Sequence, residues 1–92
     1  MAVYVDDMRA PFGRMVMCHM IADSRHELIS MAERVGVAPK WIQQADTYSE
    51  HFDICLSKRA RAVALGAVEL TSRDLVQRMN ARKQVVPKAA AS

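Results

Sequence analysis

This chain predicts a small single-domain α+β fold, with one short mixed sheet partly covered by about three helices. Three observations carry that prediction. A length of 92 residues makes one domain. The segment Met15 to Ala22 is apolar on both alternating faces, as expected of a strand buried on both sides and central in a sheet. Short β-branched segments also alternate with helix-length segments that carry their own caps. The resulting order is strand, strand, helix, short strand, helix, short strand, helix, which suits an α+β layer arrangement.

The elements follow one by one. Ala2-Val3-Tyr4-Val5-Asp6 is β-branched and aromatic and reads as the first strand, ending in the turn formers Asp6 and Asp7. Met8 to Arg14 contains Pro11 and Gly13 and reads as a loop. Met15 to Ala22 is the second strand. Ser24 with Glu27 three residues on forms a capping box, with Asp23 as an alternative cap. Leu28, Met31, Ala32 and Val35 then recur at helical spacing, and Gly36 supplies the left-handed stop. Trp41-Ile42-Gln43 reads as a short third strand and Gln44 to Glu50 as a polar loop. A second helix is expected from Phe52 or Ser57 to Leu65, closed by Gly66. Ala67 to Leu70 is a brief extended piece, and a cap at Thr71 to Asp74 leads into a third helix through Leu75, Val76 and Met79. The domain is expected to span 1–84, with 85–92 as a flexible Ala-rich tail.

Composition narrows the class further. The chain is 51% hydrophobic and 25% charged, which fits a globular domain, and its six Pro and Gly residues argue against general disorder. Aromatic residues are few and methionines number seven, so the core is expected to be built from Met, Val, Leu, Ile and Ala. Trp41 reads first as core. The longest apolar run is too short to cross a bilayer, and the start lacks a secretory pattern, so a cytoplasmic location is expected. Cys18 and Cys55 then read as reduced thiols in apolar settings, with a disulfide between them as the alternative. The net charge of +3 hides an asymmetry. Residues 1–55 carry five basic side chains against eight acidic ones, and residues 56–92 carry eight against two. A basic C-terminal half either attracts phosphate or nucleic acid or is a solvated helix surface.

Several of these pieces, taken in order, are familiar. Val3-Tyr4-Val5-Asp6-Asp7, His19 with Ala22-Asp23, Glu27-Leu28, Trp41 with Gln43, His51-Phe52-Asp53 and Ser57-Lys58-Arg59-Ala60 leading to Ala64-Leu65-Gly66-Ala67-Val68 form the set. In that order they resemble a family of small bacterial and phage proteins catalogued as a domain of unknown function. The resemblance runs from the start of the chain through most of its length. It implies a compact intracellular domain and features these Asp and His positions, but it carries no activity.

Three functions compete. The reading that demands least is a cytoplasmic binding or protein-interaction module, with the Met8 to Phe12 loop and Trp41 as a contact patch. The second is nucleic-acid binding by the basic half, with Ala62 to Gly66 and the following helix laid out somewhat like a helix-turn-helix and Arg73, Arg78, Arg82 and Lys83 as phosphate contacts. Against it, Val68 to Leu70 reads as extended and Ser72 falls where that motif places an apolar residue. The third is a metal-dependent phosphoester hydrolase. Its polar pocket would be built from Asp6, Asp7, His19, Asp23, His51 and Asp53, holding a divalent metal such as Mg²⁺ or Mn²⁺, with Lys58 and Arg59 as anion contacts.

Each of these residues also has a structural role to fill. Asp7 is a turn former, His19 a core histidine, Asp23 a helix cap, and His51 with Asp53 a loop pair capping the second helix. A hairpin between the first two strands would moreover set the end of the first against the start of the second, away from His19. That geometry counts against an Asp6–His19 contact. Gly-x-Ser-x-Gly and glycine-rich phosphate loops do not occur, so serine-hydrolase and nucleotide-loop chemistry find no support.

Overall fold

The computed structural model describes residues 2–83, so the expected tail at 85–92 lies outside the described residues. Five strands form one mixed sheet: β1 (Val3–Val5), β2 (Ala10–Phe12), β3 (Met15–Ala22), β4 (Phe52–Cys55) and β5 (Val68–Glu69). Three helices pack on it: α1 (Arg25–Val35), α2 (Leu56–Ala64) and α3 (Ser72–Lys83). None of the described helices is long and apolar enough to cross a membrane.

β3 organises the sheet because it is the longest strand and has three partners. Antiparallel β1 lies against its second half, with Val5 opposite Met20, and antiparallel β2 against its first half, with Ala10 opposite Met17. Antiparallel β4 runs along its other side, with His19 opposite Asp53. β5 then adds to β1 in parallel. Four residues, 6–9, therefore oppose only two, 18–19, which makes a wide bulge between β1 and β2.

The period-2 rule divides the sheet into two faces. Val3, Val5, Cys18, Met20, Ala22, Phe52 and Ile54 point to one side and pack against Leu28, Met31, Ala32 and Val35 of α1 and Ala62 of α2. Phe52, Met20 and Ile54 are almost wholly buried there, each stabilising by about 1.5–3 kcal/mol through area removed from water. The opposite face is covered only in part. Tyr4 and Ile21 pack under Leu75 of α3, with Leu70 and Met79 beside them.

Local chemistry sets the helix ends. The Ser24 hydroxyl accepts from the Glu27 amide as the N-cap, and the Glu27 carboxylate turns back to accept from that hydroxyl. This is a variant of the expected capping box in which the N-cap hydroxyl replaces its backbone N–H as donor. Gly36 sits at φ 89°, where a side chain would be strained. Its N–H bonds Glu33 O while that of Val37 bonds Ala32 O at 2.7 Å, a Schellman stop. Lys58 of α2 donates to the carbonyls of Val35 and Gly36, and Arg61 to that of Arg34. Positive charge thus meets the negative end of α1.

The structure corrects four expectations. Ala10 to Phe12 is a strand, tolerating Pro11 because β2 is an edge. Phe52 to Cys55 is a strand, its buried Phe52 and Ile54 alternating with exposed Asp53, and it passes straight into α2 with no linker to mark the change. Trp41 ends a single 3₁₀ turn (Pro39–Trp41) and is 60% exposed under the Lys40 ammonium, so it is not core. Only Gln43 keeps a strand-like bridge, to His51.

Candidate metal centre

The uncovered half of the second sheet face carries the cluster. On β3, Ile21 lies beneath α3, but His19, two residues back on the same face, does not. Directly across the ladder stands Asp53, and His51 lies two residues before it on that same face.

The bulge delivers the first partner. Asp6 is 1% exposed, and its carboxylate takes the place of a ladder carbonyl, with Oδ1 accepting the His19 amide at 2.9 Å and the Met8 amide at 3.3 Å. The other oxygen, Oδ2, lies 2.8 Å from His19 Nδ1. The expected hairpin geometry is overturned here. β1 has three residues and pairs with the far half of an eight-residue strand, so its end lies beside His19 rather than beside the start of β3.

His51 is held in the same way by a different acceptor, its Nδ1 lying 2.7 Å from the Ser49 carbonyl oxygen. A carbonyl oxygen and an ionised carboxylate only accept, so both imidazoles carry their proton on Nδ1. Both Nε2 atoms are therefore left facing Asp53, at 3.8 Å from its Oδ1 for His19 and 3.3 Å for His51. The two rings meet edge to face at 5.3 Å. His19 Nε2, His51 Nε2 and the Asp53 carboxylate all lie within 4.8 Å of one another. Donors about 2.0–2.1 Å from a tetrahedral ion stand about 3.4 Å apart, so one ion fits after a small closure.

Electrostatics follow from the same contacts. Burial pushes the Asp6 carboxyl up, but hydrogen bonds from the His19 ring and amide outweigh it and hold the group below its ordinary value. His19 is raised above 6.5, first by its hydrogen bond to Asp6, against burial, and then by the charges of Asp6 and Asp53. Burial drives the Cys18 thiol up to about 11, and both cysteines are free. Cys55 is lowered by the Ser57 hydroxyl and the first amides of α2.

The other predicted site residues go elsewhere. Asp7 caps α3, its Oδ1 accepting from the Ser72 amide and hydroxyl. Asp23, at the far end of β3, accepts from the Ala2 amide and the Tyr4 hydroxyl and faces Arg78 at 3.5 Å. Lys58 closes α1. Arg59 bonds the Asp6 carbonyl at 2.8 Å and Glu69 at 3.1 Å, so neither is a spare anion contact. The basic half is thus partly spent inside the fold, and β5 stands between α2 and α3 where a helix-turn-helix would have a tight turn. Sequence reasoning missed the Ser49 carbonyl, for which a backbone acceptor leaves no residue signal. It also missed the Asp6–His19 contact, although the unequal strand lengths were there to be read.

Fold and cluster together define a small α+β domain with a histidine–histidine–aspartate triad on an open sheet face. The chain belongs to the family described as protein of unknown function (DUF4031), which it matches over residues 3–82. No curated protein and no solved structure matches it.

Proposed function

We propose that this domain binds one divalent transition-metal ion through His19 Nε2, His51 Nε2 and Asp53, and that it is hydrolytic in type. One observation carries the reading. Both imidazoles have Nδ1 committed to a fixed acceptor, so both Nε2 lone pairs converge on a single carboxylate. Two imidazoles and a carboxylate suit Zn²⁺, Fe²⁺ or Mn²⁺ better than Mg²⁺, which prefers oxygen ligands throughout. Three protein ligands on a solvent-facing sheet leave positions for water and substrate, and an ion held this way lowers the pKa of its bound water. Asp6 acts one step back, fixing the His19 ring and its proton. Free thiols at Cys18 and Cys55 support the expected cytoplasmic location.

Calorimetric titration of metal-free protein tests this. One ion per chain is expected, with Zn²⁺ bound far more tightly than Mg²⁺, and with the His19 and His51 ring signals shifting together in NMR. Binding must collapse in a folded His51→Ala, Asp53→Ala double variant. Unchanged zinc affinity in that variant would refute the assignment.

A further inference from the structure

A second feature lies at the other end of this face. A groove of about 600 Å³ opens between the first turn of α1, the 46–50 segment and the last turns of α3. None of His19, His51 and Asp53 lines it. Three guanidinium groups do. Arg25 is bound by Asp46 and faces Glu50 at 3.6 Å. Arg78 lies 4.2 Å from the Tyr4 ring centre and 3.5 Å from Asp23. Arg82, four residues on and so on the same face of α3, has its Nη1 buried with no hydrogen-bond partner among the described residues.

That imbalance has a direction. The carboxylates at the groove are already engaged, Asp46 and Glu50 with Arg25 and Asp23 with Ala2, Tyr4 and Arg78. The donor left over is a charged one, and a charged donor buried without an acceptor is among the costliest groups to leave unpaired. A guanidinium fork matches two oxygens of a tetrahedral anion. The first turn of α1, bordering the groove at Ser24 and Arg25, adds the positive end of its dipole.

We infer that this groove binds the phosphate group of a phosphate ester, with Arg82 as the principal donor and Arg78 beside it. The assignment stands whether or not the triad holds a metal. It also supplies the anion contact that Lys58 and Arg59, being engaged elsewhere, do not.

The test is a ¹H–¹⁵N NMR titration of the full chain with inorganic phosphate at constant ionic strength, in the presence of EDTA. Saturable shifts are expected at Ser24, Arg25, Arg78, Ala81 and the Arg82 side-chain Nε–H. Arg82→Gln should weaken binding at least about tenfold, the loss of one charge-assisted hydrogen bond. The Tyr4 and Leu75 signals should stay in place, showing an intact fold. Arg73→Gln, on an exposed residue that does not line the groove, should bind as the parent does. A parallel titration with a short single-stranded oligonucleotide separates the two sources of phosphate. Tighter binding than inorganic phosphate assigns the groove to a nucleic-acid backbone, and equal or weaker binding assigns it to small esters. Identical shifts with chloride, shifts scattered over all basic residues, or an Arg82→Gln variant that binds phosphate undiminished would overturn the inference.

Discussion

Asp6→Asn is the most informative single substitution, because it changes one atom and reverses one proton. Asp6 Oδ1 accepts two backbone N–H groups, from His19 and Met8, and these donors have no alternative protonation state. In the variant the amide oxygen must stay on them, which turns the amide NH₂ toward His19 Nδ1. Two donors cannot face each other, so His19 must move its proton to Nε2. That proton occupies the lone pair that faces Asp53. Zinc affinity should therefore fall about 10–100-fold, the usual cost of losing a carboxylate behind a ligating histidine. The backbone bonds survive, so the fold should lose only about 1–2 kcal/mol, from the charge-assisted ring contact. Competition calorimetry reads the affinity, and long-range ¹H–¹⁵N correlation of the imidazole reads the tautomer directly. Wild-type zinc affinity, or a His19 ring still protonated at Nδ1 and free at Nε2 in the metal-free variant, would refute the reasoning.

Four further outcomes follow from the structure. The folded-state value of His19 is raised above 6.5, so its contribution is fully present below pH 6.5 and is lost as pH rises through the folded value. Urea midpoints of metal-free protein should fall over that window, and His19→Gln should flatten the profile. Asp6 is depressed below 3.8, so its contribution is present above that pH and is lost on acidification through its lower folded value, which acid unfolding of Asp6→Asn against the parent will read. Gly36→Ala should cost about 1–2 kcal/mol, the left-handed penalty, since the new Cβ meets only the movable Lys58 Nζ at 3.2 Å. A thermal midpoint unchanged from the parent would contradict that. Lys58→Met should cost about 1 kcal/mol by stripping two carbonyls at the end of α1 of their donor, measured by urea unfolding.

The legible parts of this molecule are those whose signals are local. Helix α1 could be read from Ser24, Glu27, four spaced apolar residues and Gly36, all within one short segment, and the structure uses each of them in that role. β3 could be read from an apolar run broken only by His19. β2 and β4 could not, for opposite reasons. Pro11 breaks strands in general, and only the partner strand reveals that its missing N–H faces outward. Phe52 to Cys55 continues without a break into α2, so apolar positions spaced two apart run straight into ones at helical spacing with no turn residue between. At the candidate site the residue types were legible and the pairing was not. His19, His51 and Asp53 cluster because β4 returns antiparallel beside β3 in one register, and a slip by one residue would turn Asp53 to the other face.

The bulge ties fold and site together. A regular continuation of β1 into β2 would offer His19 a backbone carbonyl, which fixes the strand but leaves the imidazole alone. Two extra residues let the Asp6 side chain take that acceptor position, so one carboxylate closes the ladder through Oδ1 and orients the ring through Oδ2. The irregularity is thus a means of ligand orientation, and the burial of Asp6 is offset by the bonds it accepts. The three ligands differ in consequence. His19 and Asp53 stand opposite each other on paired strands, where the ladder fixes their separation. His51 sits one residue outside β4, anchored by its bridge to Gln43 and by the Ser49 carbonyl. The small closure that an ion requires therefore falls to His51 and the 44–50 segment before it. Metal binding should slow amide exchange in that segment more than in β3 or β4.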